Sequence, residues 1–365
     1  MSPRKTLIVF SAAVLCACLP SPVASSGIVE QGSRACVDGP SIGNLHREAR
    51  PVHIQATVAA PGVAVAATAR TLWVADNPAG VYRVDPCADR IGPLLGFGRG
   101  GVQTLAASPD AVWVLVGYGH SPYPECVVFR LDPSSGKILA TISLSVWESF
   151  YALQTHKLVG RIRIGPAERI AATTDAVWVT SGPTNSRSSQ WVYRIDPATA
   201  RVASTVSVRA GGTLAGSITA NRDGAWVLTP APHQGAILSH IDSRTKQIQV
   251  VPTSGLLLVS YVLAYTSGSV WVADARLPRV IELDARNGRM RGATPSLVGD
   301  PISLTPGGGF IWIVTTAGRL YRLDQATHRL VGVPVILHSR PFDMAVSHSS
   351  LWVVGRAGLL RIGPV

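Results

Sequence analysis

The segment Val177-Trp-Val179, followed by Tyr193-Arg-Ile-Asp196, decides the fold because the same pair of segments recurs along the 365-residue chain. The apolar–Trp–apolar triplet occurs at Leu72-Trp-Val74, Val112-Trp-Val114, Val177-Trp-Val179, Ala225-Trp-Val227, Val270-Trp-Val272, Ile311-Trp-Ile313 and Leu351-Trp-Val353. Successive Trp residues are 40, 65, 48, 45, 41 and 40 residues apart. A repeat of about 40 residues made of short strands is typical of a four-stranded β-propeller blade.

The two ends of the repeat region predict how the ring of blades closes. The last copy stops after Leu360-Arg-Ile-Gly363 and lacks a fourth strand, whereas residues 52–58, ahead of the first copy, alternate as a strand does. Pairing between these segments would remove the unpaired edges of an open sheet. We therefore predict an all-β fold over residues 52–365. It is a seven-bladed β-propeller of four-stranded antiparallel blades, closed by the N-terminal strand pairing with the last blade.

The longest gap between Trp residues contains a segment that resembles half a repeat. Residues 145–162 include Trp147 but lack the first strand of a blade. Two placements are open: an insertion in blade two, which the missing strand favours, or an eighth blade.

The first 25 residues have the pattern of a secretory signal peptide. Arg4 and Lys5 precede an uncharged apolar run that is too short to span a bilayer. Two cleavage sites are open: before Cys18, in the lipoprotein-like box Leu15-Cys-Ala-Cys18, or near Ser25. Residues 26–51 then form a leader, and we expect an extracytoplasmic protein, lipid-anchored to the cell membrane if Cys18 is acylated.

Export favours disulfides, and three cysteines lie beyond the signal segment: Cys36, Cys87 and Cys126. The leader approaches the propeller on the same side as Cys87, in a turn of blade one, whereas Cys126 lies near the opposite side. This predicts a disulfide between Cys36 and Cys87, with Cys126 left over.

Several segments resemble a known repeat family. Val272-Ala-Asp274, Tyr193-Arg-Ile-Asp-Pro-Ala-Thr-Ala-Arg-Val202 and His156-Lys-Leu-Val-Gly-Arg-Ile-Arg-Ile-Gly165 resemble the YVTN-type, YncE-like propeller repeats of bacterial surface and periplasmic proteins, with Trp in place of Tyr. The resemblance spans residues 52–365, and it implies a propeller that binds ligands or proteins at the cell envelope.

A more distant resemblance concerns Asn221-Arg-Asp-Gly-Ala-Trp226, which is similar to a turn and strand of streptogramin B lyases. That family implies a His eleven residues before the repeat aromatic residue and a Glu three residues after it, near magnesium. No blade has the His, and the second position is acidic only at Asp76 and Asp274. The lyase pair is therefore absent.

Loop lengths break the symmetry of the repeat and point to a binding face. The distance from Trp to the following Asp is 12, 19, 18, 16, 13 and 12 residues in blades one to six, so blades two, three and four have long loops on one face. Loops on a rigid scaffold often carry binding groups. The candidate ligand-binding residues are Tyr118, His120, Tyr123, Trp147, Trp191 and His233, with Arg99 and Arg340 beside them.

Charged residues at the start of the inner strands are the candidates for acid–base chemistry. They are Glu168, Arg169, His338 and Asp343, and neutralising pairs around a water-filled channel are the competing interpretation. The sequence has no metal-ligand spacing or phosphate-binding loop, so we expect no metal and no cofactor. We expect a non-enzymatic binding module for a small molecule, a glycan or an envelope protein. The alternative is a lyase or hydrolase at the channel mouth on the long-loop side.

The net charge of +12 comes from an excess of Arg, yet the mean hydropathy is positive at +0.26, which excludes a disordered chain. Arg83, Arg130, Arg194 and Arg322 each stand two residues before a turn Asp. Residues i and i+2 share a strand face, so each Arg can pair with that Asp. An exported chain without aromatic and basic stripes is not expected to bind nucleic acid.

Overall fold

A computed structural model describes residues 51–118, 125–144, 147–151, 158–163, 167–181, 190–208, 216–231, 235–253, 256, 262–274, 277–347 and 350–363. Residues 147–151, 158–163, 167–168, 230–231 and 235 are described by their backbone alone. The chain divides into two units between Asp38 and Gly39, and every described residue belongs to the second unit. The described residues include no helix that is long and apolar enough to span a membrane.

The described strands form seven four-stranded antiparallel sheets and one two-stranded hairpin. Blade 1 contains β2 (Ala64–Ala67), β3 (Leu72–Asp76), β4 (Gly80–Asp85) and β5 (Arg90–Leu95). Blade 2 contains β6 (Gly101–Ser108), β7 (Ala111–Tyr118), β8 (Glu125–Leu131) and β9 (Ile138–Ser143). The hairpin β10 (Trp147–Tyr151) and β11 (Leu158–Arg163) follows. Blade 3 contains β12 (Ala167–Ala172), β13 (Val177–Ser181), β14 (Gln190–Asp196) and β15 (Arg201–Val208).

The remaining blades follow the same order from the inner to the outer strand. Blade 4 contains β16 (Ser217–Ala220), β17 (Gly224–Ala231), β18 (Gly235–Asp242) and β19 (Ile248–Val251). Blade 5 contains β20 (Leu263–Thr266), β21 (Ser269–Ala273), β22 (Val280–Asp284) and β23 (Met290–Ala293). Blade 6 contains β24 (Pro301–Gly307), β25 (Phe310–Thr315), β26 (Arg319–Asp324) and β27 (Val335–Ile336). Blade 7 contains β28 (Pro341–Ser347), β29 (Ser350–Gly355), β30 (Gly358–Gly363) and, as its outer strand, β1 (His53–Val58).

The innermost strands make a closed ring. Each inner strand contacts that of the next blade, in the order β2, β6, β12, β16, β20, β24 and β28, and β28 contacts β2. The strand β1 pairs with β30, with His53 opposite Gly363 and Val58 opposite Leu359. The seven-bladed propeller and its closure by the N-terminal strand are therefore confirmed.

The antiparallel order of each blade gives the ring two different faces. The loops from second to third strand and the connectors between blades lie on one face, which we call the long-loop face; the other turns lie on the turn face. The hairpin β10–β11 is in the connector between β9 and β12 and pairs only with itself. The hairpin is therefore an insertion between blades 2 and 3, in the connector on the long-loop face, rather than an eighth blade.

The hydrophobic core lies between neighbouring blades. One cluster, for example, joins Trp113 and Val128 of blade 2 to Val177 and Tyr193 of blade 3. The repeat Trp residues are buried in these layers, with at most 4% of their surface exposed. Burial of a large apolar side chain contributes about 1.5–3 kcal/mol, so the periodic Trp is what stacks the blades.

The pairing of Arg with the following turn Asp, which the sequence allows, does not form in blade 2. Arg130 forms an ion pair with Asp110 at 3.3 Å, and its guanidinium carbon lies 5.5 Å from the centre of the Trp113 ring. Its Nη1 also donates to the carbonyl of Pro197 in the next blade at 2.8 Å. Asp132 instead accepts from the backbone of Ser134 and Ser135 within its own turn. The turn satisfies the carboxylate locally, which leaves the arginine to cover the Trp ring.

Candidate functional site

Each inner strand has a residue nine positions before its repeat Trp. These seven residues lie at the same height around the axis of the propeller, and we call them the level ring. This level is shown by Ser303 of blade 6, whose hydroxyl donates to Oδ1 of Asp343 in blade 7 at 3.1 Å. The ring consists of Ala64, Thr104, Arg169, Ser217, Val262, Ser303 and Asp343. This level of the inner strands therefore carries two opposite charges and three hydroxyl side chains, with Ala64 and Val262 at the other two positions.

Asp343 holds together the three blades that meet where the ring closes. Its Oδ2 accepts from the backbone N–H of Val65 in blade 1 at 3.1 Å, and its Oδ1 accepts from Ser303 in blade 6. The residue is half-buried, and its carboxyl is enclosed by the inner strands that it joins. This enclosure raises the pKa of Asp343, against the opposing effect of its hydrogen bonds and of the Arg169 charge. A carboxyl whose pKa is raised in a concave site is a functional candidate.

Arg169 is an exposed residue of β12, on the inner strand of blade 3. Its charge lowers the pKa of Asp343, so the two groups are within electrostatic reach of one another. The structure thus brings together two of the four residues predicted for acid–base chemistry. Glu168 precedes Arg169 in β12, but only its backbone is described.

The other predicted residues on inter-blade connectors are exposed. His338 and Arg340 lie in the connector between β27 and β28, and Arg99 lies in the turn before β6. Half-buried Tyr118, at the end of β7, lies against this turn, because a Cβ at Gly100 would be 2.7 Å from its ring. Burial, followed by the charge of Glu125, raises the pKa of Tyr118, which stays a neutral hydrogen-bonding phenol. Arg99 and Tyr118 therefore lie side by side on the long-loop face.

The remaining long-loop candidates are only partly covered by the structure. Trp191 is half-buried and packs against the core between blades 2 and 3, so part of its ring has a packing role. Trp147 begins β10 opposite Arg163, with its backbone alone described. His120, Tyr123 and His233 lie outside the described residues, as do Cys18 and Cys36. Their assignments stay predictions.

The cysteines are in different chemical states. Cys87 is in a disulfide whose partner lies outside the described residues. Cys126 is a buried cysteine that is not in a disulfide. The pairing of Cys87 with Cys36 stays a prediction.

Sequence reasoning missed a buried polar group at the start of the third strand of blade 3. Gln190 is completely buried at the start of β14, and neither atom of its amide has a hydrogen-bond partner in the structure. Nearby, the hydroxyl of Thr180 donates to the carbonyl of Gly216 in blade 4 at 3.2 Å. An alignment of the repeats could have revealed this residue, because no other blade has a long polar side chain there. The six other blades have Ala79, Cys126, Ala236, Pro278, Gly318 and Ala357 at the position of Gln190.

The arrangement suits recognition of a polar ligand. A cation and an acid within electrostatic reach of one another, with hydroxyl groups at the same level of the inner strands, can orient a molecule that carries both charges. No group of three His, Cys, Asp or Glu side chains within the described ranges is placed to hold a metal ion.

Comparisons with known proteins support the fold and nothing beyond it. No family model matches the chain, and no curated protein matches it. A chain of the solved structure entitled "Crystal Structure of Mitotic Checkpoint Complex" is 13% identical at a TM-score of 0.60, over 98% of this chain and 99% of that chain. BamB from Moraxella catarrhalis is 14% identical at a TM-score of 0.51, over 83% of this chain and 84% of that chain. The class they support is the β-propeller.

Proposed function

We propose that this chain is an exported β-propeller that binds a small polar ligand at the channel mouth on its long-loop face and does not transform it. The observation that carries the proposal is the level ring, which places Arg169 and Asp343 within electrostatic reach of one another among the hydroxyls of Thr104, Ser217 and Ser303. A ligand with a carboxylate for Arg169 and an amine or hydroxyl for Asp343 fits this arrangement.

Two further observations support binding over an exclusively structural role. The strand ends that flank the longest second-to-third-strand segments, in blades 2 to 4, lie on the same face as the start of the inner strands, and the hairpin β10–β11 follows the outer strand of blade 2 on that face. Propellers also occur in a mitotic checkpoint complex, so a macromolecular partner at this face is compatible with the fold.

The second candidate function is an enzyme, a lyase or hydrolase, at the same channel mouth. The raised pKa of Asp343 is the observation that favours it, since a carboxyl that holds its proton to higher pH than usual is better suited to act as a general acid. Arg169 would then stabilise negative charge that develops on the substrate.

Export and family membership belong to the same proposal. The signal-like segment of residues 1–25, with Cys18 as the acylation site, supports an envelope location. The YVTN-type repeat resemblance supports a relation to bacterial surface propellers.

The test is a thermal-shift screen of zwitterionic metabolites, glycans and cyclic depsipeptides, followed by mass spectrometry of each stabilising compound. A ligand at 100 times its Kd should stabilise the protein by about 2.7 kcal/mol. We expect the shift to disappear in Arg169→Ala, because the carboxylate of the ligand then has no cation to bind. The side chain is exposed, so the substitution itself should change folding little. Arg201→Ala, an exposed arginine of the outer strand of blade 3, is the matched control and should keep the shift.

The outcomes separate the two functions. A hit that is bound but recovered unchanged supports the binding module, whereas a hit that is consumed supports the enzyme. A shift that survives both Arg169→Ala and Asp343→Asn would show that the level ring is not the binding site.

A further inference from the structure

The turn face carries an uneven distribution of positive charge. In blades 4 and 5, the turn segment that begins at the repeat Asp has two exposed cations, whereas the same segment has one in blades 1, 2, 3 and 6. A further exposed cation lies in the inner turn of blade 4. We call these five residues the basic sector: Arg222, Arg244, Lys246, Arg286 and Arg289.

The turns that carry the basic sector are joined to one another. Within blade 4, the backbone N–H of Ser243 donates to the carbonyl of Asp223 at 2.8 Å, and its hydroxyl donates to the carbonyl of Arg222 at 3.3 Å. Between the blades, Gly288 has a φ of 68° and lies directly against the carbonyl of Pro252, where a Cβ would clash. The cations of the two blades therefore form one patch.

The acids of these turns are occupied within the protein. Asp284 accepts from the backbone of its own turn and forms an ion pair with Arg291, which lies outside the basic sector. Asp242 accepts from two backbone N–H groups of its turn, at 2.9 and 2.7 Å. Within the described residues, no member of the basic sector forms an ion pair. The positive charge of this patch is therefore directed to the solvent.

Exposed apolar side chains lie in the strands that follow these turns. Ile248, Val250 and Met290 have 41%, 57% and 55% of their surface exposed. A surface that mixes cations with apolar side chains suits the boundary of a lipid bilayer, where the cations attract anionic headgroups and the apolar groups leave water. An anionic bilayer therefore fits both components of the patch.

The start of the propeller lies on the same face. The strand β1 begins with His53 opposite Gly363, at the turn-face end of blade 7, so the chain ahead of Pro51 joins the propeller there. Cys18 stands 33 residues ahead of Pro51. An acyl chain on Cys18 would therefore be attached to the turn face and not to the long-loop face.

We propose that the basic sector docks the turn face on an anionic lipid bilayer and leaves the long-loop face, with its channel mouth, in contact with water. The proposal rests on the envelope location proposed above, which the N-terminus of the mature protein tests separately. It does not depend on which ligand the channel binds.

The experiment measures sedimentation of the protein with vesicles of phosphatidylcholine alone and with vesicles containing about 30% phosphatidylglycerol. The chain begins at residue 26, because the ring closes within residues 53–363 and the apolar signal segment would itself bind lipid. We expect at least about tenfold tighter binding to the anionic vesicles. Binding should weaken severalfold between about 50 mM and about 300 mM salt, which screens the exposed charges.

Removal of four charges from the basic sector tests which surface binds. Each cation near an anionic membrane contributes about fivefold to affinity, so the fourfold variant should bind at least about tenfold more weakly. The substituted side chains are exposed, so the melting temperature should not change. The variant combines Arg244→Gln, Lys246→Gln, Arg286→Gln and Arg289→Gln.

The matched control removes the same charge from the corresponding turns of the other blades. These turns lie outside the basic sector, and charges more than about 10 Å apart are largely screened, so binding should be retained. The control combines Arg90→Gln, Lys137→Gln, Arg201→Gln and Arg329→Gln, all at exposed positions.

A third variant, with Arg244→Lys, Arg286→Lys and Arg289→Lys, keeps the charge and should keep binding, because a bilayer attracts charge rather than the planar guanidinium. The proposal is overturned if the wild type binds both kinds of vesicle equally or binds neither. It is also overturned if the control loses as much affinity as the basic-sector variant, or if the lysine variant loses binding. Binding to poly-glutamate without binding to anionic vesicles would assign the patch to an acidic protein instead.

Discussion

At the residue scale, departures from the repeat reveal where the propeller does something other than stack blades. In blades 2, 3, 6 and 7 an arginine covers the repeat Trp, with its guanidinium 5.5 to 5.9 Å from the ring centre. Blade 4 substitutes His240, which stacks on Trp226 at 4.4 Å. Blade 5 substitutes Glu282, which accepts from Ser269 and contacts His328 of blade 6. A comparison of the seven blades at the position nine residues before the Trp likewise singles out Asp343 as the one acid in the level ring.

The first residue-scale prediction concerns the pH dependence of folding. Because enclosure raises the pKa of Asp343 above its unfolded value of about 3.9, the folded state holds this proton more tightly. The stabilisation is fully present below the unfolded pKa and is lost as pH rises through the folded pKa. Asp343→Asn removes this titration, so its stability relative to the wild type should increase between pH 4 and pH 8, measured by urea unfolding.

Asp132→Asn is the control of opposite sign. Hydrogen bonds from Ser134 and Ser135 lower the pKa of Asp132 to about 2, so its stabilisation is present above its unfolded pKa and is lost as pH falls towards 2. The stability of this variant relative to the wild type should improve as the solution is acidified from pH 4 to pH 2. A difference for Asp343→Asn that stays constant from pH 4 to pH 8 would contradict the assigned pKa direction.

At the element scale, the hairpin β10–β11 is an addition to the ring rather than part of it. Trp147 pairs with Arg163 and Tyr151 pairs with Leu158, and neither strand joins a blade. An isolated two-stranded hairpin contributes little to stability in water. Its place in the connector on the long-loop face therefore favours a role in binding.

Deleting this hairpin tests that separation of stability from binding. Replacing residues 147–163 by a short Gly-Ser linker should leave the melting temperature within about 3 °C of the wild type, because the inner-strand ring and β1 remain. Any ligand found in the channel screen should bind several times more weakly. Circular dichroism melting and calorimetry give the two readouts. A melting temperature lowered by ten degrees or more would show that the hairpin supports the blades.

At the scale of the whole molecule, the sequence predicted the ring of blades and named Arg169 and Asp343, but it did not predict the contacts that Asp343 makes. The Trp spacing and the alternation of residues 52–58 are local patterns, so the blades and their closure could be predicted. The contact between Asp343 and Val65 joins residues 278 positions apart, and it exists only because β28 meets β2 when the ring closes. No local sequence pattern encodes this contact.

The last prediction concerns the two chemical events expected on export of the whole chain. Cys87 is in a disulfide, and Cys126 is buried at 5% exposure outside any disulfide. Mass spectrometry of the mature protein should therefore find Cys87 linked to Cys36, with Cys126 alkylated only after denaturation. The same spectra report the N-terminus: a diacylglycerol adduct on Cys18 identifies a lipoprotein, and a start near Ser26 identifies a freely secreted protein. An intact residue 1 together with reduced Cys87 would contradict export, and with it the envelope location of the proposed ligand.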